Sequence, residues 1–256
     1  MFTRTPKDDL NALEQWSIDW QLSFNTTKCE VMRISQKNDT SSPGYHLCGN
    51  RSNTVSKTKD LNIYIMSNLS WSLQATKCAN KANSVLGFVR WTVGPNNPDL
   101  FSKLYKSLVR PILEYSSPVW SPHLKKDIAT LEKVIWRASR FELGTTANDM
   151  SYEDRLKRLK WPTLEKKRTL SSFTECCKTI NGLNCSNQHE FFSFADKYRP
   201  LRSNHCFKLK MKSVKLNCCK HSFFLRIVNL WNNLRKETAE AKDLRSFRNK
   251  LVNEFS

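Results

Sequence analysis

Residues 97–141 leave this chain few choices of architecture, because two amphipathic patterns of helical period stand there on either side of a proline-bearing corner. Asn97 suits an N-cap, and Pro98 suits the first helical position, where no amide hydrogen is needed. Leu100, Leu104, Leu108 and Ile112 recur at every fourth residue, with Phe101, Tyr105 and Val109 alongside. Pro111 removes one helical hydrogen bond and predicts a kink or break. Ser121 and Pro122 repeat the cap-and-proline start, and Ile128, Leu131, Ile135 and Ala138 make a second stripe. The outward residues are mostly Lys and Arg.

Upstream the pattern is mixed. Thr5-Pro6 followed by Asp8 and Asp9 predicts a helix start, with Leu10, Leu13, Ser17 or Ile18, and Trp20 as an approximate face. Two adjacent carboxylates invite a metal reading, but at a helix start they need no ion to explain them. Cys29 to Ile34, Tyr45 to Gly49 and Lys59 to Ile65 alternate as strands, with Leu61, Ile63 and Ile65 on one face. A polar loop is expected at 36–44. Ser70 then caps a helix whose stripe is Ala75, Ala79, Ala82, Leu86 and Val89, ending at Gly94-Pro95.

Downstream, Ser151 to Asp154 forms a capping box ahead of Leu156 and Leu159. Trp161-Pro162-Thr163 restarts a helix with Leu170, Phe173, Cys177 and Ile180 inward. Residues 183–206 read as irregular. Phe207 to Met211 alternates with Lys208, Lys210 and Lys212, predicting a strand with one basic face. Two further helices carry Phe224, Ile227, Val228, Trp231 and Leu234, then Leu244, Phe247, Leu251 and Phe255. The fold class is therefore α+β and mostly helical. A small antiparallel sheet in 1–69 precedes a three-helix bundle in 70–148 and short basic helices in 149–256.

With 42 Lys and Arg against 23 Asp and Glu, the net charge of +19 points to a polyanionic partner, nucleic acid first. Between Trp71 and Arg140 eleven basic residues face four acidic ones. A solvated helix face mixes its signs, so a groove tracking phosphates is favoured, with Lys77, Lys81, Lys103, Lys106, Arg110, Lys133 and Arg137 as candidates. Lys208, Lys210 and Lys212 serve equally as nucleic-acid contacts or as guards of an edge strand. No apolar run spans a membrane and no secretory signal is evident, so the setting is read as intracellular, nuclear or cytoplasmic, with the nine cysteines reduced. Cys176, Cys177, Cys185, His189, Cys206, Cys218, Cys219 and His221 cluster late, but without paired C-x2-C spacing they read as core or incidental residues. Nucleophile elbow, phosphate loop and dinucleotide fingerprint are all absent.

Leu104-Tyr105, Leu108 through Tyr115 (LVRPILEY), Val119-Trp120-Ser121-Pro122, and then Leu131-Glu132 and Arg137-Ala138 resemble the thumb of reverse transcriptases from non-LTR (LINE-type, jockey-like) retrotransposons. Trp16, Trp20 to Asn25 and Lys28-Cys29 resemble the last palm motif of those enzymes. Lys59 to Ile63 and Leu69-Ser70-Trp71 are similar to their primer-grip hairpin, with Asn62 where the family usually has Gly. Tyr152 to Leu156, Ser222 to Arg226 and Trp231 to Leu234 resemble the region downstream, so the resemblance covers nearly the whole chain.

It implies an RNA-directed DNA polymerase fragment: a palm remnant with primer grip, a thumb and a basic extension. The partner would be RNA or an RNA–DNA template–primer. Lys28 matches a lysine that gives a proton to leaving pyrophosphate, here a relic. The strands carrying the metal-binding Asp residues, and with them Mg2+, would precede residue 1 in an intact family member. This chain alone is expected to be inactive and to need no cofactor. The alternative is a stand-alone basic nucleic-acid-binding or adaptor protein.

Overall fold

The computed structural model describes residues 5–34, 44–94, 97–185, 188–195 and 205–255, which form a mostly helical α+β fold. Residues 36–43 of the expected loop, Pro95, the His189 side chain and much of 183–206 lie outside the described residues. The chain divides into two compact units, one up to Gln74 and one from Ala75 onward.

In the first unit, Thr5 caps α1 (Pro6–Asp19), and a reciprocal box forms between the Thr5 and Asp8 side chains. Asp8 accepts the Thr5 N–H at 2.9 Å and the Thr5 hydroxyl at 2.7 Å. That is the helix-start role expected from the sequence. The apolar face of α1 is not a core, however. Ser17 is its buried residue, while Leu13, Ile18 and Trp20 stay exposed.

Among the described residues the small sheet is made of three two-stranded pairs. β1 (Glu30–Val31) runs parallel to β4 (Asn53–Thr54), and β2 (His46–Leu47) pairs antiparallel with β3 (Asn50–Arg51). β5 (Lys57–Asp60) pairs antiparallel with β6 (Ile63–Met66), so Asp60 opposes Ile63 and the residues between them form a two-residue turn. Both turn residues, Leu61 (φ 43°) and Asn62 (φ 66°), are left-handed, which fits the right-handed twist of the flanking strands. Leu61 therefore leaves the face expected of it, and Ile63 is the buried member.

In the second unit, α2 (Ser72–Val93) buries Ala75, Ala79, Ala82, Leu86 and Val89 as its stripe requires, and ends at Gly94 in the left-handed region. Asn97 caps α3 (Pro98–Leu104), with Pro98 in the first turn. The helix does not break at Pro111. It widens into a π segment, Tyr105–Val109, and continues as α4 (Arg110–Glu114), with the Arg110 N–H reaching Tyr105 O. The wider turn accommodates the proline downstream. The inward stripe is Phe101, Tyr105, Val109 and Leu113, one residue on from the stripe expected; Leu100 is 42% and Leu108 45% exposed.

No helix starts at Ser121-Pro122. Residues 116–124 form an irregular corner in which Ser117 and Trp120 are fully buried, and α5 (Lys125–Leu143) starts after it. Buried carbonyls left unpaired at a helix end or in an irregular corner need donors, and two arginines supply them. Arg168 donates to Leu113 O at 2.7 Å and to Trp120 O, with its guanidinium 4.0 Å from the Trp120 ring centre. Arg226 donates to Pro118 O at 2.7 Å and to Ser117 O at 3.3 Å. Burial pushes both guanidinium groups down to about 10, which leaves them charged at neutral pH.

Ser151 caps α6 (Tyr152–Leu159) and Thr163 caps α7 (Leu164–Ile180). α5 packs on both, and Trp161 between them stacks on Tyr105 at 4.3 Å. The helical turns α8 (Gln188–Phe191) and α9 (Asn217–Lys220) precede α10 (Phe223–Asn232), α11 (Lys236–Ala239) and α12 (Leu244–Glu254). Phe173, Cys176, Ile227, Trp231, Phe247 and Leu251 centre the core they share with α7.

Candidate nucleic-acid interface

The buried stripes of α2 and α5 fix what those helices present outward. On α2, Arg90 and Trp91 fall just beyond the stripe ending at Val89. On α5, Lys133, Trp136, Arg137 and Arg140 alternate in phase with buried Leu131, Val134, Ile135 and Ala138. A groove of about 540 Å3 opens between them, lined by Asn83, Leu86, Gly87, Arg90, Trp91, Arg137 and Phe141.

Its cations are held in place. The Arg90 guanidinium lies 4.2 Å from the Phe141 ring centre. Arg137 donates to Asn83 Oδ1 at 2.9 Å, bridging α5 to α2. Among the described residues neither arginine has a carboxylate at ion-pair distance, so both keep donors for an anion. A wider groove of about 950 Å3 follows α5 from Arg137 past Trp136, Lys133 and Lys125 to His123. Glu132 and Glu165 also line it, making it electrostatically mixed. The Glu132 carboxylate is occupied, accepting from the Tyr152 hydroxyl and the Leu164 N–H (3.2 Å). Burial raises it from the usual carboxylate range, and those two hydrogen bonds oppose the shift.

Of the cations expected from the sequence, Lys133 and Arg137 belong to these grooves. Lys77, Lys81 and Lys103 are exposed but line neither groove. Arg110 is paired with Glu114 at 2.6 Å, and Lys106 sits near Glu142, whose carboxyl burial raises to about 7 against the pull of Ser102 and that lysine. Lys28 is exposed at the end of a short 3-10 turn, Thr26–Lys28.

The expected strand over 207–212 is reduced to one bridge, Leu209 to Phe194. Its other edge is met by a side chain: Asn232 accepts the Leu209 N–H at 2.9 Å and donates to Leu209 O at 2.8 Å. Trp231 Nε1 donates to Phe207 O at 2.9 Å. Lys208 is consumed here as well, donating to Asn232 O, and burial lowers its ammonium. Lys210 and Lys212 remain exposed, and so does Met211, so the alternation fails beyond Leu209.

Arg90, Trp91 and Phe141 were not singled out as site residues from the sequence. A tryptophan just past a buried stripe, next to an arginine, was the available signal. Of the late cysteines and histidines, Cys176 and Cys177 are buried in the core with thiols raised by burial. Cys185 and Cys219 are exposed, and His221 stacks on His123 at 3.9 Å. Among the described residues no three metal-ligating side chains converge, and no helix is long and apolar enough to cross a membrane. Compared with known protein families, curated proteins and solved structures, the chain matches none.

Proposed function

We propose that the chain binds nucleic acid through its larger unit, as the thumb and downstream portion of a reverse transcriptase of the non-LTR retrotransposon type. RNA or an RNA–DNA template–primer is the partner. The observation that carries the binding is the α2–α5 groove, where Arg90 and Arg137 are fixed by Phe141 and Asn83 and no acidic residue lines the wall. The motif wording around Arg110-Pro111 and Trp120-Ser121-Pro122 supports the class. Asp8 and Asp9 are read as helix-start charges, and Asp8 accepts from Thr5 in its own helix cap.

The test is a salt series with single-stranded and duplex oligonucleotides. With about five phosphates engaged, log affinity should fall with log salt at a slope near −3.5 on single strands and near −4.5 on B-form duplex. Charge reversal at Arg90 and Arg137 should flatten that slope more than reversal at Lys103 and Lys106. Absent binding, or binding indifferent to salt, overturns the proposal. That outcome favours an adaptor role, for which the exposed Trp16, Ile18, Trp20 and Leu22 of the first unit supply apolar surface.

A further inference from the structure

We propose that the α2–α5 groove takes an unpaired base of a single strand, stacked on Trp91, with its flanking phosphates on Arg90 and Arg137. This rests on the nucleic-acid reading above and narrows it to one feature of the ligand. Trp91 is 83% exposed, an extreme value for the largest apolar side chain on a helix whose neighbouring stripe is fully buried. Among the described residues its ring meets no other ring and no cation. Trp136 is different, because Arg140 and Arg155 lie 5.0 and 5.2 Å from its ring centre. A base in a duplex has both faces covered by its neighbours, whereas an unpaired base offers a face to an aromatic ring. Trp91 provides the ring and the two arginines provide the charge.

Gly87 carries the argument further. It sits inside α2, where glycine is less favourable than alanine. No close packing from outside its own helix demands it, since a Cβ built there would meet no such atom within 4 Å. Any longer side chain would project into the groove that Gly87 lines. Glycine thus keeps the floor open beside Trp91, and the groove's volume of about 540 Å3 suits a small planar group.

The experiment measures binding of the full chain at low salt to two labelled strands of about twelve nucleotides, an oligo(dT) and an abasic strand of equal length and charge. The oligo(dT) is expected to bind about 5- to 150-fold more tightly, the range of one stacked base. Trp91→Ala should abolish the preference for oligo(dT) over the abasic strand, and Trp91→Phe should keep most of it. Gly87→Leu, which removes no charge and no ring, should weaken oligo(dT) selectively. Equal binding of the two strands by the unaltered chain overturns the inference alone. So does a Trp91→Ala variant that weakens both strands equally or neither. Failure of both strands to bind overturns the nucleic-acid reading and this inference with it.

Discussion

Arg168 and Arg226 do for the corner at 116–124 what a strand partner does elsewhere. From helices far away in sequence, Arg168 reaches Leu113 O at the end of α4 and Trp120 O in the corner, and Arg226 reaches Ser117 O and Pro118 O, so the corner is buried without regular structure. Replacing Arg168 with Met leaves the Leu113 and Trp120 carbonyls without donors and should destabilise the fold by about 2–4 kcal/mol. Arg168→Lys should recover less than half of that, because a single ammonium cannot fork to both oxygens or lie flat on the Trp120 ring. Urea unfolding followed by circular dichroism measures both variants. Equal midpoints for wild type and Met variant would refute the role. Nothing local to residue 168 announced it: a lone arginine in a basic helix reads as surface, and its partners lie 48 and 55 positions away.

At the scale of elements, periodicity fixed spacing better than facing. The alanine stripe of α2 was legible because no competing apolar stripe adjoins it. In 97–114 two stripes run side by side, and the one carrying the aromatic rings is buried. A strict fourth-residue repeat overshoots the α-helical turn by ~40° per step, and the π segment takes up that drift and keeps Phe101, Tyr105, Val109 and Leu113 inward. Four large side chains at perfect fourth-residue spacing were thus a sign of the wider turn. The strand expected at 207–212 is cut short for another reason: its second partner is the Asn232 side chain, which no strand pattern can anticipate. The β5–β6 turn allows a direct test. Leu61 is 78% exposed in a left-handed conformation that a leucine occupies under strain. Leu61→Asn should stabilise the chain by about 0.5–1 kcal/mol, read as a rise in the thermal midpoint. A fall would mean that Leu61 makes contacts that outweigh its backbone strain.

For the whole molecule, a charge of +19 acts on folding and on the proposed nucleic-acid binding in opposite directions. Like charges repel within the compact state, so raising salt from about 20 to 200 mM screens them and should raise the thermal midpoint by a few degrees. The same change should weaken nucleic-acid binding. Polyphosphate at low salt should reproduce the stabilisation by occupying the cations. A midpoint that falls with salt would show that ion pairs, rather than repulsion, dominate the surface. The groove itself was half legible. Net charge suggested a polyanionic partner, and the stripes marked Lys133 and Arg137 as outward-facing. Which cations keep their donors depended on Glu114, Glu142 and Asn232, residues brought near by folding.

The cysteines turn this architecture into its own clock. Cys48 and Cys185 stand at the surface and will meet an alkylating reagent at once. Cys78, with its thiol raised to about 11, and Cys176 and Cys177 in the core are shielded twice, by packing and by protonation. Their labelling has to wait for α2 or α7 to come away from its neighbours. Mass added with time therefore records how often each helix opens, without introducing any foreign reporter into the chain.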